Sequence, residues 1–157
     1  MSNVTYAVKI IENYEENIED ILQEYKILFE HSLHPNIPLL FGAYRRVMDR
    51  STSTWLIFLT MSRVNKDVWY VMELCGLGAV SEVASSLARV GLHLNEDQIS
   101  YITKEVLHAL VYLQQNLCIH RDIKGSNILL TGECEVKLVD YGISCQVKQL
   151  MLSTNNV

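Results

Sequence analysis

Eight consecutive residues, His120-Arg121-Asp122-Ile123-Lys124-Gly125-Ser126-Asn127, constrain this chain more than any other stretch, because Asp140-Tyr141-Gly142 follows them at a short distance. With each residue type used at about five per cent, five fixed identities within eight coincide by chance at roughly one in several million starting positions. Alone, an Asp-Tyr-Gly is an ordinary turn. Its distance from Asn127 is what gives it chemical meaning.

The pattern on either side alternates short strands with helices. Thr5 to Ile11 reads as a strand with Ala7, Lys9 and Ile11 on one face. A charged helix follows from about Glu15 to Phe29, with an apolar stripe of Ile18, Ile21, Tyr25 and Leu28. His34-Pro35-Asn36 ends it, since the residue before proline is pushed out of helical space. Ile37 to Tyr44 and Asp67 to Glu73 read as further strands. Between them, Arg45 to Lys66 is polar at both ends around Thr54 to Met61, which fits an added strand, a docking hairpin or a sequence not shaped by this fold. Gly76-Leu77-Gly78 breaks the chain, and a short helix covers Val80 to Val90, closed by Gly91. A long helix starts at Asn95, where Asn95 and Gln98 form a capping box. Its core face is Ile99, Ile102, Val106, Leu110 and Leu113. Ile128 to Leu130 and Val136 to Val139 are short apolar strands, and the tail from Lys148 is polar and unpatterned.

Composition narrows the class. The 157 residues are 49% hydrophobic and 20% charged, with a net charge of −5. That is globular composition, and the acidic balance argues against a nucleic-acid surface. The apolar burst from Trp55 to Met61 is far short of the ~20 residues of a membrane helix. No apolar secretion segment opens the chain, so a cytoplasmic location with reduced thiols is expected. The four cysteines form no C-x-x-C pair, which argues against zinc. His31, His34, His93 and His108 read as cap, loop or surface residues.

The octapeptide, the Asp140 triplet and the order of elements around them resemble the catalytic loop and metal-binding motif of eukaryotic protein kinases. The fold this implies is α+β, an incomplete bilobal kinase: residues 1–157 form a partial domain. Residues 1–74 are the small-lobe part, and 75–157 carry the hinge, the first large-lobe helices and the two motifs. The resemblance implies phosphoryl transfer from Mg²⁺-bound ATP to a serine or threonine of a protein substrate. In that reading Asp122 orients the substrate hydroxyl and takes its proton, and Lys124 stabilises the migrating phosphoryl group. Asn127 and Asp140 hold Mg²⁺. His120 packs as scaffold, and Arg121 pairs with a phosphorylated activation loop. Lys9 pairs with the nucleotide phosphates and with Glu24, which lies beside the inward stripe of its helix. Ala7 contacts adenine, Met72 is the gatekeeper, Glu73 and Cys75 read adenine through backbone groups, and Leu129 floors the pocket. Without the downstream motif, Lys9 and Glu24 would read as solvated charges.

Glu73 to Val80, His120 to Leu130 and Val136 to Asp140 are similar to the Sterile-twenty-like, germinal-centre group. Glu19 to Leu28 and His34 to Pro38 most resemble the kinase domain of class III myosins, actin motors, which implies a cytoskeletal setting. Some family features do not occur: no glycine precedes Gly42, so the Gly-rich loop has no counterpart before Lys9, and no Ala-Pro-Glu follows Gly142. Tyr141 replaces the usual phenylalanine and adds a hydroxyl needing a partner. A chain lacking these parts is expected to fold marginally and turn over little. The rival reading is a non-catalytic, kinase-like interaction module. An unrelated nucleotide binder would need G-x-x-x-x-G-K, which is missing.

Overall fold

The structure, a computed structural model, describes residues 4–12, 18–45 and 67–146. The expected segment 45–66, the helix start before Ile18 and the tail from Lys148 lie outside the described residues, apart from the backbone of Arg45. The strand at the start is β1 (Tyr6–Ile11), and its exposure alternates as the period of two requires, with Ala7, Lys9 and Ile11 turned inward. Helix α1 (Ile18–His31) follows, then β2 (Leu40–Arg45) and β3 (Val68–Glu73). These strands form one antiparallel sheet in the order β1-β3-β2, with Lys9 opposite Tyr70 and Ala7 opposite Met72. Tyr70 is buried, and its hydroxyl donates to the Ile21 carbonyl at 2.8 Å, fastening α1 to the inner face of the sheet.

The buried face of α1 is Glu24, Ile27, Leu28 and His31, while Ile18 is exposed. The expected stripe is therefore rotated, because the inward face includes a carboxylate that apolar periodicity ignores. His31, read as a cap, loop or surface residue, is the last residue of α1 and is buried. Strand β2 begins at Leu40 instead of Ile37. The intervening residues turn, with Ile37 N–H donating to the His34 carbonyl at 3.0 Å. That turn buries Ile37 and Asn36.

After β3 the chain enters β4 (Gly78–Ala79), α2 (Val80–Arg89) and α3 (Glu96–Gln115). Gly91 (φ 74°) closes α2 in the left-handed conformation, while Leu92 N–H reaches Leu87 O and Gly91 N–H reaches Ala88 O. The α3 capping box forms as expected: Asn95 Oδ1 accepts from Gln98 N–H and Gln98 Oε1 from Asn95 N–H, both at 2.9 Å. Helix α3 buries Val106, Ala109 and Leu113 against β5 (Cys118–Ile119) and β7 (Val136–Leu138), whereas Ile99, in its first turn, stays exposed. Leu107 and Val111, on the opposite side, are also about half exposed. Strands β4, β6 (Ile128–Leu130) and β7 make a second sheet, and β5 pairs with β8 (Cys145–Gln146). The two-residue strands β4, β5 and β8 are too short to leave a sequence period.

The core runs from α1 and the first sheet (Ile27, Leu28, Tyr70) through Ile37 into α3 and β7 (Ala109, Leu113, Leu138) and on to Tyr141. Asn36 ties the same parts together with polar groups. Its carbonyl accepts Leu138 N–H at 2.8 Å, and its amide donates to Glu105 at 2.8 Å and to Val136 O at 3.1 Å. Asn36→Ala leaves a buried carbonyl and a carboxylate short of a donor. It is expected to cost about 1–3 kcal/mol in urea unfolding, and an unchanged midpoint would contradict this account of the junction.

Candidate active site

Strand β1 and helix α1 together place a lysine beside a buried carboxylate. Lys9 Nζ lies 2.6 Å from Glu24 Oε1 and 2.8 Å from Oε2, and Glu24 is only 5% exposed. A carboxylate that deep requires a partner, and the inward phase of β1 supplies one.

The second group lies on the loop after β5. Lys124 Nζ donates to Asp122 Oδ2 at 2.6 Å, and Asn127 Nδ2 donates to the same oxygen at 2.9 Å and to the Asp122 carbonyl at 3.0 Å. The Lys124 hydrogen bond, helped by that from Asn127, holds the Asp122 carboxyl below its ordinary value. In return Asp122 raises the Lys124 ammonium, with the charge of Asp140 adding to the effect. A 3-10 turn over Gly125–Asn127 buries the Asn127 side chain. Because its Nδ2 is spent on Asp122, its amide oxygen is the atom left for another ligand.

Asp140 is joined to this loop through the backbone, since Val139 N–H donates to the Asn127 carbonyl at 3.0 Å. Asp140 itself is exposed, with φ at 69°. Arg121 has the same φ of 69°. Non-glycine residues in that region carry strain of about 1–3 kcal/mol each and persist only where neighbours over-determine them. Here the neighbours are explicit. Arg121 donates from Nε to Ile143 O and from Nη2 to Ser144 O at 3.4 Å, and Ser144 Oγ donates to His120 O at 3.1 Å. The Arg121 guanidinium thus grips the backbone after Gly142.

His120 is buried as scaffold. Its Nδ1 accepts Asp122 N–H at 3.2 Å, which leaves Nε2–H to donate to Val139 O at 3.0 Å. Burial holds this imidazole below its ordinary value. Its ring meets the fully buried Tyr141 edge-on, with centroids 5.0 Å apart. The added hydroxyl of Tyr141 has its partner, the Leu138 carbonyl at 2.8 Å.

The remaining expected residues lie on the two sheets, and Cys75 on the linker between them. Ala7 and Met72 face one another in the first sheet, and Leu129 lies half-buried on β6, paired with Lys137 and Ala79. The Cys75 carbonyl accepts Gly78 N–H at 3.1 Å, and burial pushes its thiol up to about 11, so it behaves as a small apolar group. Glu73 does more with its side chain than the sequence suggests. Oε1 sits 3.0 Å from Lys137 Nζ and Oε2 accepts Leu39 N–H at 3.1 Å. Lys137 escaped notice in the sequence, although a lysine inside an apolar strand is a signal of a buried ion pair.

Both clusters are oxygen-rich and amine-rich. Among the described residues, no group of three His, Cys, Asp or Glu could hold a metal alone. The amide oxygen of Asn127 and the carboxylate of Asp140 are hard oxygen donors. Two such ligands, completed by phosphate and water, suit Mg²⁺ better than a closed protein cage does.

The protein kinase domain family matches residues 1–157, and the chain belongs to that family. Among its relatives, the serine/threonine-protein kinase mig-15 of Caenorhabditis elegans is 38% identical over 141 residues, 90% of this chain and 12% of that protein. Misshapen-like kinase 1 of Rattus norvegicus is 39% identical over 143 residues, 90% of this chain and 10% of that protein. Myosin-IIIa of Homo sapiens is 39% identical over 142 residues, 90% of this chain and 8% of that protein. The chain therefore spans about a tenth of the length of these relatives. Both resemblances read from the sequence, to Sterile-twenty-like kinases and to class III myosins, are met in these matches.

Two outcomes are expected. Tyr141→Phe removes the hydroxyl bond to Leu138 and lowers stability by about 0.5–1.5 kcal/mol; an unshifted urea midpoint would contradict this. Burial also holds His31, His34 and His120 below 6.5. The unfolded chain then binds more protons just below that pH, so stability is full above it and declines as pH falls through the lower folded-state values. Melting temperatures taken across that window should drop, and His34→Gln should flatten the decline; a flat profile for the parent chain would overturn the assignment.

Proposed function

We propose that this chain carries the nucleotide-holding and catalytic-loop machinery of a serine/threonine protein kinase, transferring the terminal phosphoryl group of ATP to a protein hydroxyl. The observation that carries the reading is the joint geometry of Lys9 with Glu24 and of Asp122 with Lys124 and Asn127. Glu24 holds the Lys9 ammonium in place for the α- and β-phosphates. Ala7, Met72 and Leu129 supply apolar contact for adenine, and the backbone of Glu73 and Cys75 reads its edge.

Asp122 accepts both side-chain hydrogen bonds on Oδ2, so Oδ1 is the oxygen that faces a substrate hydroxyl. A carboxylate held below its ordinary value is a poor base, so its main contribution is to orient that hydroxyl and take its proton late. Lys124 sits one hydrogen bond away and neutralises charge on the moving phosphoryl group. Asn127 and Asp140 would hold Mg²⁺, which supplies charge neutralisation of the phosphates. Resemblance to class III myosins supports a cytoplasmic, cytoskeleton-associated setting. No described helix is long and apolar enough to cross a membrane.

A second reading, a non-catalytic module that binds partners, is favoured by the half-exposed Tyr6, Val8, Ile10 and Phe41 on the outer face of the first sheet. A thermal-shift titration of the chain with Mg²⁺ and ATP separates the two. Nucleotide at a thousandfold excess over its dissociation constant stabilises by about 4 kcal/mol, whereas no shift at millimolar nucleotide favours the module. With generic protein substrate, Asp122→Asn is expected to lower transfer by about 10²–10⁴-fold while nucleotide still shifts the melt. Full activity in that variant would refute the assignment.

A further inference from the structure

We propose that Lys137 is a positioning residue: its ion pair with Glu73 ties the linker after β3 to the strand that delivers Asp140. The inference rests on the kinase reading only in taking Asp140 as a metal ligand.

Lys137 is 6% exposed, in the middle of a strand that is otherwise apolar. Its ammonium lies 3.0 Å from Glu73 Oε1 and 3.4 Å from Glu135 Oε2. The Glu135 side chain is mostly exposed and screened by water, so Glu73 is the partner that matters. Glu73 in turn is held from a third direction. Its Oε2 accepts Leu39 N–H, and its own N–H donates to Leu39 O at 2.9 Å. One carboxylate therefore clasps the approach to β2, the end of β3 and the middle of β7.

Three residues beyond Lys137 comes Asp140, in its strained conformation. The bonds that hold the chain between them are Leu138 N–H to Asn36 O and Val139 N–H to Asn127 O. Stability alone does not explain a buried ammonium here. Replacing a buried ion pair by apolar side chains of similar size is often neutral or stabilising, and the best-attested use of such a pair is to fix one arrangement among several. The arrangement fixed in this chain is the placement of the linker after β3 relative to the strand that leads to Asp140.

The test uses the full chain and four variants. Amide hydrogen exchange without ligand is measured for the parent, Lys137→Met, Lys137→Arg, Glu73→Gln and the double variant Lys137→Met/Glu73→Gln. Lys137→Met and Glu73→Gln are each expected to speed exchange at Leu138 and Val139 by about tenfold or more, with helix α3 unchanged. Lys137→Arg restores protection, and the double variant loses no more than either single change. Affinity for ATP is then measured with Mg²⁺ and with a chelator. Lys137→Met should shrink the gain from Mg²⁺ by about tenfold while changing metal-free affinity little, and Lys137→Arg should recover it. Exchange that is unchanged in Lys137→Met overturns the proposal. So does exchange that rises equally across α3, since the residue would then be merely structural. If the parent chain binds no nucleotide, the kinase reading fails for this chain, while the exchange measurement still decides whether Lys137 ties the linker to the Asp140 strand.

Discussion

A carboxylate at the centre of the molecule needs a cation, and most of the architecture around β1 and α1 answers that need. Glu24 is buried between the helix and the sheet, so the helix packs only in a rotation that brings Glu24 to Lys9. The same rotation presents Ile27 and Leu28 to the core and lets the Ile21 carbonyl accept the Tyr70 hydroxyl. Breaking a buried pair by removing one partner leaves an uncompensated charge, so sheet and helix are tied to a single relative placement. On this side of the molecule placement follows from packing: the ammonium is aimed because the carboxylate must be hidden.

On the other side the constraint is backbone strain. Arg121 and Asp140 both sit at positive φ, and Arg121 is held there by its bonds to the Ile143 and Ser144 carbonyls. His120 spends both ring nitrogens on the backbone, one on each side of that pair. The side chains of Asp122, Lys124 and Asn127 bond among themselves, with Asn127 also holding the Asp122 carbonyl. Rigid neighbours of this kind are what a site needs when its chemistry depends on placement more than on covalent help.

Much of this was legible in the residues. The period of two in Ala7, Lys9 and Ile11 gave the inward face of β1, and the Asn95–Gln98 box gave the start of α3. What the sequence concealed was governed by tertiary contact. Apolar counting put Ile18 and Ile99 on core faces, yet both are exposed at the starts of their helices. The inward place of Glu24, between Ile21 and Leu28, was legible from its spacing, but the burial of His31 was not, since a polar residue is hidden only when a distant partner receives it. Lys137 and Glu73 lie far apart in the chain, and no local pattern announces that they meet. Strands of two residues, such as β5 and β8, leave no period at all.

Those two short strands have a consequence of their own. Cys118–Ile119 precedes the loop carrying Asp122, Cys145–Gln146 follows the Asp140 triplet, and the two are hydrogen-bonded neighbours. Residues 120–144 therefore form a ring pinned shut at its neck. Tension arriving along the chain beyond Gln146 meets the neck before it meets Asp122, in the way a clamp on a cable spares the solder joint behind it.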